Sequence, residues 1–372
     1  MAYPRTRKAV VFFGLILAGV TAAVWTVQSS RRSSGRAFAF RYTVSFPPVP
    51  ANAGRVRMWI PLAKTRANQQ VLSRQIRSSL PYEIHQDPIF GNDLLYLELV
   101  APPTEAGTRS PATESREAGR RSPERAARGE SEARGAPLDV VIDYDVRTSG
   151  ETRSDPKAWW VDRESVASAD EWSVSLRDEP LMVVNDTITQ LATQASLGRR
   201  TDHDRARAIY DHVIGHMRYD KTTPGWGQGD TLRACQLGAG NCTDFHSLFI
   251  SMSRAIGIPA RFLIGATIPQ EPSGTIPGYH CWAEFYRPGH GWVPVDASEA
   301  WKHPQLRDAY FGSWDANKFL ISVGRNLTLA PAQEGPPVNY FVYPYVEVDS
   351  VPAGGVTTRF QFWDRKQQEG KT

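Results

Sequence analysis

Gly238-Ala239-Gly240-Asn241-Cys242-Thr243-Asp244 leads directly into Phe245, Leu248, Phe249, Met252 and Ile256. Those apolar positions repeat at i, i+3, i+4 and i+7, the stripe of a helix with one buried face. Gly257 followed by Pro259 stops the helix after about Ile256. Cys242 therefore falls in the first turn, where unpaired backbone N–H groups and the helix dipole favour an anion. A thiolate is such an anion, so the thiol should lose its proton more readily and gain nucleophilicity near neutral pH. The Cys242 N–H is also placed to donate to a developing oxyanion. A buried structural cysteine is the plain alternative, and the glycine-rich approach to the helix argues against it.

Downstream, Tyr279-His280-Cys281-Trp282-Ala283-Glu284-Phe285-Tyr286 reads as a strand. Alternation puts His280, Trp282, Glu284 and Tyr286 on one face and Cys281, Ala283 and Phe285 on the other. On this reading Cys281 is a structural core cysteine that points away from the site. Arg287-Pro288-Gly289 suits a three-residue hairpin loop to Gly291-Trp292-Val293-Pro294-Val295-Asp296. Pairing Tyr286 with His290 and counting outwards sets Glu284 against Trp292, Trp282 against Pro294 and His280 against Asp296. The carboxylate would then orient the imidazole and stabilise its protonated form. Taken singly, His280 reads as a satisfied core histidine and Asp296 as a turn or cap residue. Taken with Cys242, the three residue types compose a nucleophile, a base and an orienting acid.

The ordered set Gly240-Asn241-Cys242, Gly257-Ile258-Pro259-Ala260-Arg261, His280-x-Trp282-x-Glu284, Trp292 and Asp296 resembles the bacterial transglutaminase-like domain, over about sixty residues. The resemblance implies an α+β fold with a papain-like transglutaminase core: a helix-borne Cys packed on an antiparallel sheet that carries the His and Asp. It implies Cys242, His280 and Asp296 as catalytic residues and acyl transfer or hydrolysis at an amide, a protein glutamine or a peptide bond, through a thioester. Relatives of this kind are cross-linkers, cysteine peptidases or amidases, and others are silent scaffolds that bind peptide or a partner protein. Family members take a second oxyanion donor from a side chain upstream of the nucleophile. Trp226 and Gln228, in the Gly-rich loop Thr222–Gly229, are candidates. Gln236, six residues before Cys242, is a third and has the spacing of the glutamine in papain-like peptidases.

Other chemistries find little purchase. No H-E-x-x-H or Cys-x-x-Cys pattern suggests a metal, and His212 and His216 lack a carboxylate motif beside them. No Walker or dinucleotide glycine pattern calls for a cofactor, so none is expected. Net charge is +4 with no basic stripe interleaved with aromatics, which gives no reason to expect nucleic acid. Three cysteines, Cys235, Cys242 and Cys281, are too few and too odd in number for a disulfide framework. Cys235 is a candidate partner for Cys242 in a resting-state lock.

The 372 residues divide into four stretches on composition. Residues 1–36 hold Arg5, Arg7 and Lys8 ahead of an uncharged run from Ala9 to Val27, long enough to span a bilayer as a helix. A signal anchor is expected, with the catalytic part outside the cytoplasm; a leader cleaved near Val20-Thr21-Ala22 would make the protein secreted or periplasmic. Residues 37–150 form a small β-rich domain interrupted at 104–136 by a segment devoid of Val, Ile, Leu and aromatics, which is expected to be disordered. Residues 151–330 form the catalytic domain, with helices over Pro180–Ser196 and Thr201–Met217, and 331–372 a C-terminal β extension. A protein or peptide substrate is the expected partner, together with the membrane.

Overall fold

The computed structural model describes residues 35–50, 53–100, 133–134, 138–150 and 169–365. The run at Ala9–Val27 and nearly all of the 104–136 segment lie outside that range. Among the described residues no helix is long and apolar enough to cross a membrane.

The chain begins with strands β1 (Arg36–Phe46), β2 (Arg55–Leu62), β3 (Gln69–Ser78), β4 (Glu83–Gln86), β5 (Asp93–Val100) and β6 (Leu138–Thr148). Helices α1 (Ala169–Val174), α2 (Asp186–Ala195) and α3 (Asp202–His216) follow, then β7 (Arg218–Tyr219), α4 (Thr231–Leu237), β8 (Ala239–Gly240) and α5 (Cys242–Ala255). Next come β9 (Ala260–Thr267), β10 (Ser273–Ile276), β11 (His280–Arg287), β12 (Gly291–Val295), α6 (Ala297–Lys302) and β13 (Lys318–Val323). The chain closes with β14 (Tyr345–Val348), β15 (Val351–Pro352) and β16 (Thr357–Asp364).

Two five-stranded sheets are built largely from the two ends of the chain, in the orders β10-β16-β1-β6-β3 and β15-β14-β2-β5-β4. In β1 the alternation is strict, with Phe38, Phe40, Tyr42, Val44 and Phe46 buried and their neighbours half-buried. Those side chains share a core with Met58, Ile60 and Leu97 of the second sheet. The C-terminal strands are integral to these sheets. β16 pairs with β1 along its length, and β14 pairs with β2.

The third sheet is the one that matters for chemistry, a four-stranded antiparallel array ordered β12-β11-β9-β13. Helix α5 lies across it and is buried from Cys242 to Arg254 on every face. The apolar stripe accounts for the side against the sheet. The opposite side is covered by α2, α3 and α4, and its small polar residues are each bonded. Ser247 and Ser253 donate to the carbonyls of Thr243 and Phe249, at 2.7 and 2.8 Å. Ser251 meets Thr231 of α4 at 2.8 Å. Bonded in this way, short hydroxyl side chains can be buried without the penalty of an unpaired polar group.

The helix starts follow their caps. Asn185 accepts from the Ile188 N–H and opens α2 at Asp186, later than the apolar spacing from Pro180 suggested. Thr201 caps α3, its side chain accepting from the Asp204 N–H.

Candidate active site

Helix α5 owes its first turn to a capping box. The Asn241 side chain accepts from the Thr243 N–H at 2.8 Å, and the Asp244 carboxylate accepts from the Asn241 N–H at 2.9 Å. Asp244 also accepts from the N–H groups of Gly227, at 2.8 Å, and Gly229, at 3.1 Å. From the other side Arg325 donates to the carbonyls of Gln228, at 2.7 Å, and Gly229, at 2.9 Å. The Gly-rich loop is thereby fastened beside the head of the helix. Gly240 has to be glycine, because a Cβ there would overlap the Asp244 carboxylate. Cys242 sits in the first turn with 3% of its surface exposed.

His280 is the first residue of β11, and its Nε2 lies 2.7 Å from Asp296 Oδ2. The hairpin register differs from the expected one. Arg287 pairs with Gly291, Tyr286 with Trp292 and Glu284 with Pro294. The loop is thus Pro288-Gly289-His290, with Gly289 at φ +76, and the register slides by two residues. A slide of two preserves the faces, whereas a slide of one would have reversed them. Asp296 consequently stands diagonal to His280, just past the end of β12, and reaches it as the N-cap of α6. Its Oδ1 accepts from the Glu299 N–H and from Ser298 Oγ, both at 3.1 Å, while Oδ2 serves His280. The capping and orienting roles fall to one carboxylate.

Two further groups meet Asp296. Lys318 Nζ, from β13, lies 2.8 Å from Oδ2. His246, one turn after Cys242, places Nε2 3.6 Å from Oδ1 and accepts from the Ala297 N–H at 3.1 Å. Accepting at Nε2 puts the neutral ring's proton on Nδ1, which faces Cys281 Sγ at 3.8 Å. His246 is four residues from Cys242 on a helix, a spacing that could have been noticed. Lys318 carries no such signal, as one lysine opening an apolar strand.

Cys281 corrects the expectation for it. It lies on the face of β11 opposite His280 and is fully buried, as alternation required. That face, however, abuts the head of α5. Cys281 contacts Thr243 Oγ1 at 3.6 Å and is the largest influence on the protonation of Cys242. All three cysteines are free thiols.

The electrostatics follow from these contacts. The hydrogen bond from Cys281 is the largest influence on the Cys242 thiol. With help from a hydrogen bond and the charge of His280, it outweighs burial and takes the thiol pKa well below its ordinary value. For His280 burial opposes the charged form, yet the Asp296 carboxylate and Cys242 raise its pKa to about 10. Burial also opposes the charged form of Asp296, but Lys318 first and His280 next hold it well below the usual carboxylate range. Burial lowers His246 to about 4, so it is neutral at physiological pH. These directions together favour a thiolate at Cys242 and an imidazolium at His280, with the Asp296 carboxylate behind them.

The candidate second donors are near the surface. Trp226 is 38% exposed on the fastened loop, with Lys221 Nζ 5.8 Å from its ring centroid. The Gln228 side chain and Gln236, on α4, are exposed. Among the described residues no group of three or more His, Cys, Asp and Glu could hold a metal ion.

Residues 189–297 match the family model of the transglutaminase-like superfamily, so this part of the chain is similar to a transglutaminase-like domain. The matched span takes in Cys242, His280 and Asp296 and ends before Lys318. An uncharacterized protein of Haemophilus influenzae is 31% identical over 204 residues, 46% of this chain and 55% of that protein. The chain therefore spans about half the length of the relative it matches. A proposed cysteine protease from Cytophaga hutchinsonii shares the fold, with a TM-score of 0.55 at 14% identity over 91% of this chain and 94% of that one. The periplasmic domain of TgpA from Pseudomonas aeruginosa aligns more loosely, with a TM-score of 0.35 at 17% identity, over 74% of this chain and 91% of that one.

Proposed function

We propose that the protein is a thiol enzyme acting on protein or peptide amides, with Cys242 as nucleophile, His280 as acid–base and Asp296 as its orienting carboxylate. What carries the reading is the 2.7 Å contact of His280 Nε2 with Asp296 Oδ2, on a strand packed against the helix that Cys242 heads, with Cys242 and His280 each shifting the other's protonation.

In the reaction, the Cys242 thiolate adds to the carbonyl carbon of a carboxamide or peptide bond. The Cys242 N–H receives the developing oxyanion. The second donor comes from Trp226, Gln228 or Gln236, and the first two stand on the loop that Asp244 fastens beside the nucleophile. The tetrahedral adduct collapses by breaking the C–N bond, and the His280 imidazolium protonates the departing ammonia or amine. Neutral His280 then takes a proton from water or a primary amine, which attacks the thioester and returns the thiolate. Asp296, an anion throughout, holds Nε2 so that Nδ1 serves the sulfur.

Substitution of Cys242 by Ala should lower the turnover of a glutamine peptide with a fluorescent amine, or of a peptide amide alone, by at least on the order of 10³-fold. Undiminished turnover would refute the assignment. Comparing the two substrates separates transfer from hydrolysis. Labelling with iodoacetamide separates an enzyme from a silent peptide-binding scaffold, since fast alkylation of Cys242 that His280→Asn abolishes belongs to the enzyme. The basic flank and apolar run at residues 5–27 support a membrane-anchored, extracytoplasmic placement. Protease accessibility in intact and lysed cells tests that placement.

A further inference from the structure

Lys318 is 3% exposed, and its ammonium lies 2.8 Å from Asp296 Oδ2, the oxygen that also bonds His280. Its charge sits 4.9 Å from the centroid of the Trp282 ring. A lysine rarely gives up water without a partner of opposite charge, and the fold delivers this one to the carboxylate behind the histidine. The charge count explains why. Thiolate, imidazolium, carboxylate and ammonium sum to zero, with His246 neutral between them. Without Lys318 the same buried cluster would carry a net negative charge.

We propose that Lys318 is a positioning residue of this site: its ammonium keeps Asp296 ionised and aligned, and sets the pH window within which Cys242 and His280 exist as thiolate and imidazolium. The inference rests on the catalytic reading above and deepens it. Other titratable groups around Asp296 are Tyr210 of α3, Tyr219 of β7 and Glu299 of α6. Glu299 is paired with Lys302 at 2.7 Å, and burial keeps both phenols protonated well above neutral pH.

The sign of the effect follows from charge alone. Removing a cation makes every proton uptake by the cluster more favourable. Protonation of the thiolate, the acid limb, then occurs at higher pH. Loss of the imidazolium proton, the basic limb, also moves to higher pH. A residue with a merely structural role would lower the rate at all pH values and leave both limbs in place.

The test is the pH profile of Cys242 alkylation by iodoacetate, an anion whose attack the imidazolium assists, in the full chain, for wild type, Lys318→Gln and Lys318→Arg, with Cys242→Ala as the blank. The expected result is a bell in the wild type, both limbs raised by about one pH unit in Lys318→Gln, and both restored in Lys318→Arg whatever its absolute rate. A wild-type bell with unmoved limbs in Lys318→Gln overturns the role of Lys318 and leaves the catalytic reading standing. A wild type with only the reactivity of an ordinary thiol overturns both. Should Lys318→Gln fail to fold, Lys318→Arg decides, because limbs displaced by a full unit despite the retained charge overturn the proposal.

Discussion

A sulfur atom's surroundings decide its chemistry here, and the strongest influence among them is another sulfur. The Cys281 thiol favours the Cys242 anion, while burial and Cys242 drive its own pKa well above the ordinary value. Replacing Cys281 by Ala should move the acid limb of Cys242 alkylation upward by about half a unit or more and cost about 1 kcal/mol of stability. An unmoved limb would show that His280 alone sets the thiolate. The wild-type profile itself is predicted. Alkylation should rise at a pH well below the ordinary thiol value and fall as His280 loses its proton near pH 10. His280 has a folded pKa above its ordinary 6.5. Its contribution to stability is therefore complete below that value and vanishes as pH climbs through about 10, which urea titrations at pH 6 and pH 10.5 can compare in wild type and His280→Asn.

Among the elements, β9 and β13 hold the site together through a glycine. Gly265 lies where the pairing of β9 with β13 shifts register, and a Cβ there would overlap the Phe319 carbonyl oxygen. Backbone cannot yield as a side-chain tip can, so Gly265→Ala must push the strands apart beside Lys318. The expected loss is about 2 kcal/mol in thermal or urea unfolding, with the alkylation limbs displaced upward as in Lys318→Gln. A variant with wild-type stability and limbs would mean that the strand pair absorbs the methyl group. The β11–β12 hairpin shows the opposite tolerance. Its register slid by two residues from the simple count, yet the His280–Asp296 bond survived, because the sheet's period of two kept both residues on one face and the α6 cap supplied the remaining reach.

Across the molecule, the β sheets from the chain ends brace the four-stranded sheet at its open edge. β13 is an edge strand, and its outward backbone groups are taken up by two side-chain amides. Asn92 bonds Val323 through both its amide groups, at 2.7 and 2.8 Å. Gln69 does the same for Leu320, at 2.9 and 2.7 Å. Phe38, Phe40 and Tyr144 pack on Phe319 of the same strand. Asn92→Ala should leave two backbone groups unpaired and cost about 2–4 kcal/mol. Because one core runs through both parts, it should lower the urea midpoint of a single transition seen alike by far-UV circular dichroism and Cys242 protection. Two separate transitions would contradict the shared core.

What could be read from residue order was local. The glycine-rich approach, the apolar stripe and the glycine–proline stop placed Cys242 at the head of a buried helix, since turn chemistry and periodicity act over a few residues. Strand alternation put His280 on one face and Cys281 on the other, and the face of Asp296 followed from parity. Burial of the polar side of α5, the sulfur–sulfur contact and the lysine behind Asp296 depended on elements far apart in the chain. Lys318 is 22 residues beyond Asp296, and its partner is set by the pairing of β9 with β13 and by the amides that brace the edge. A buried charge is tolerated only where tertiary packing supplies its counter-charge, and no pattern along a single strand records which counter-charge that will be.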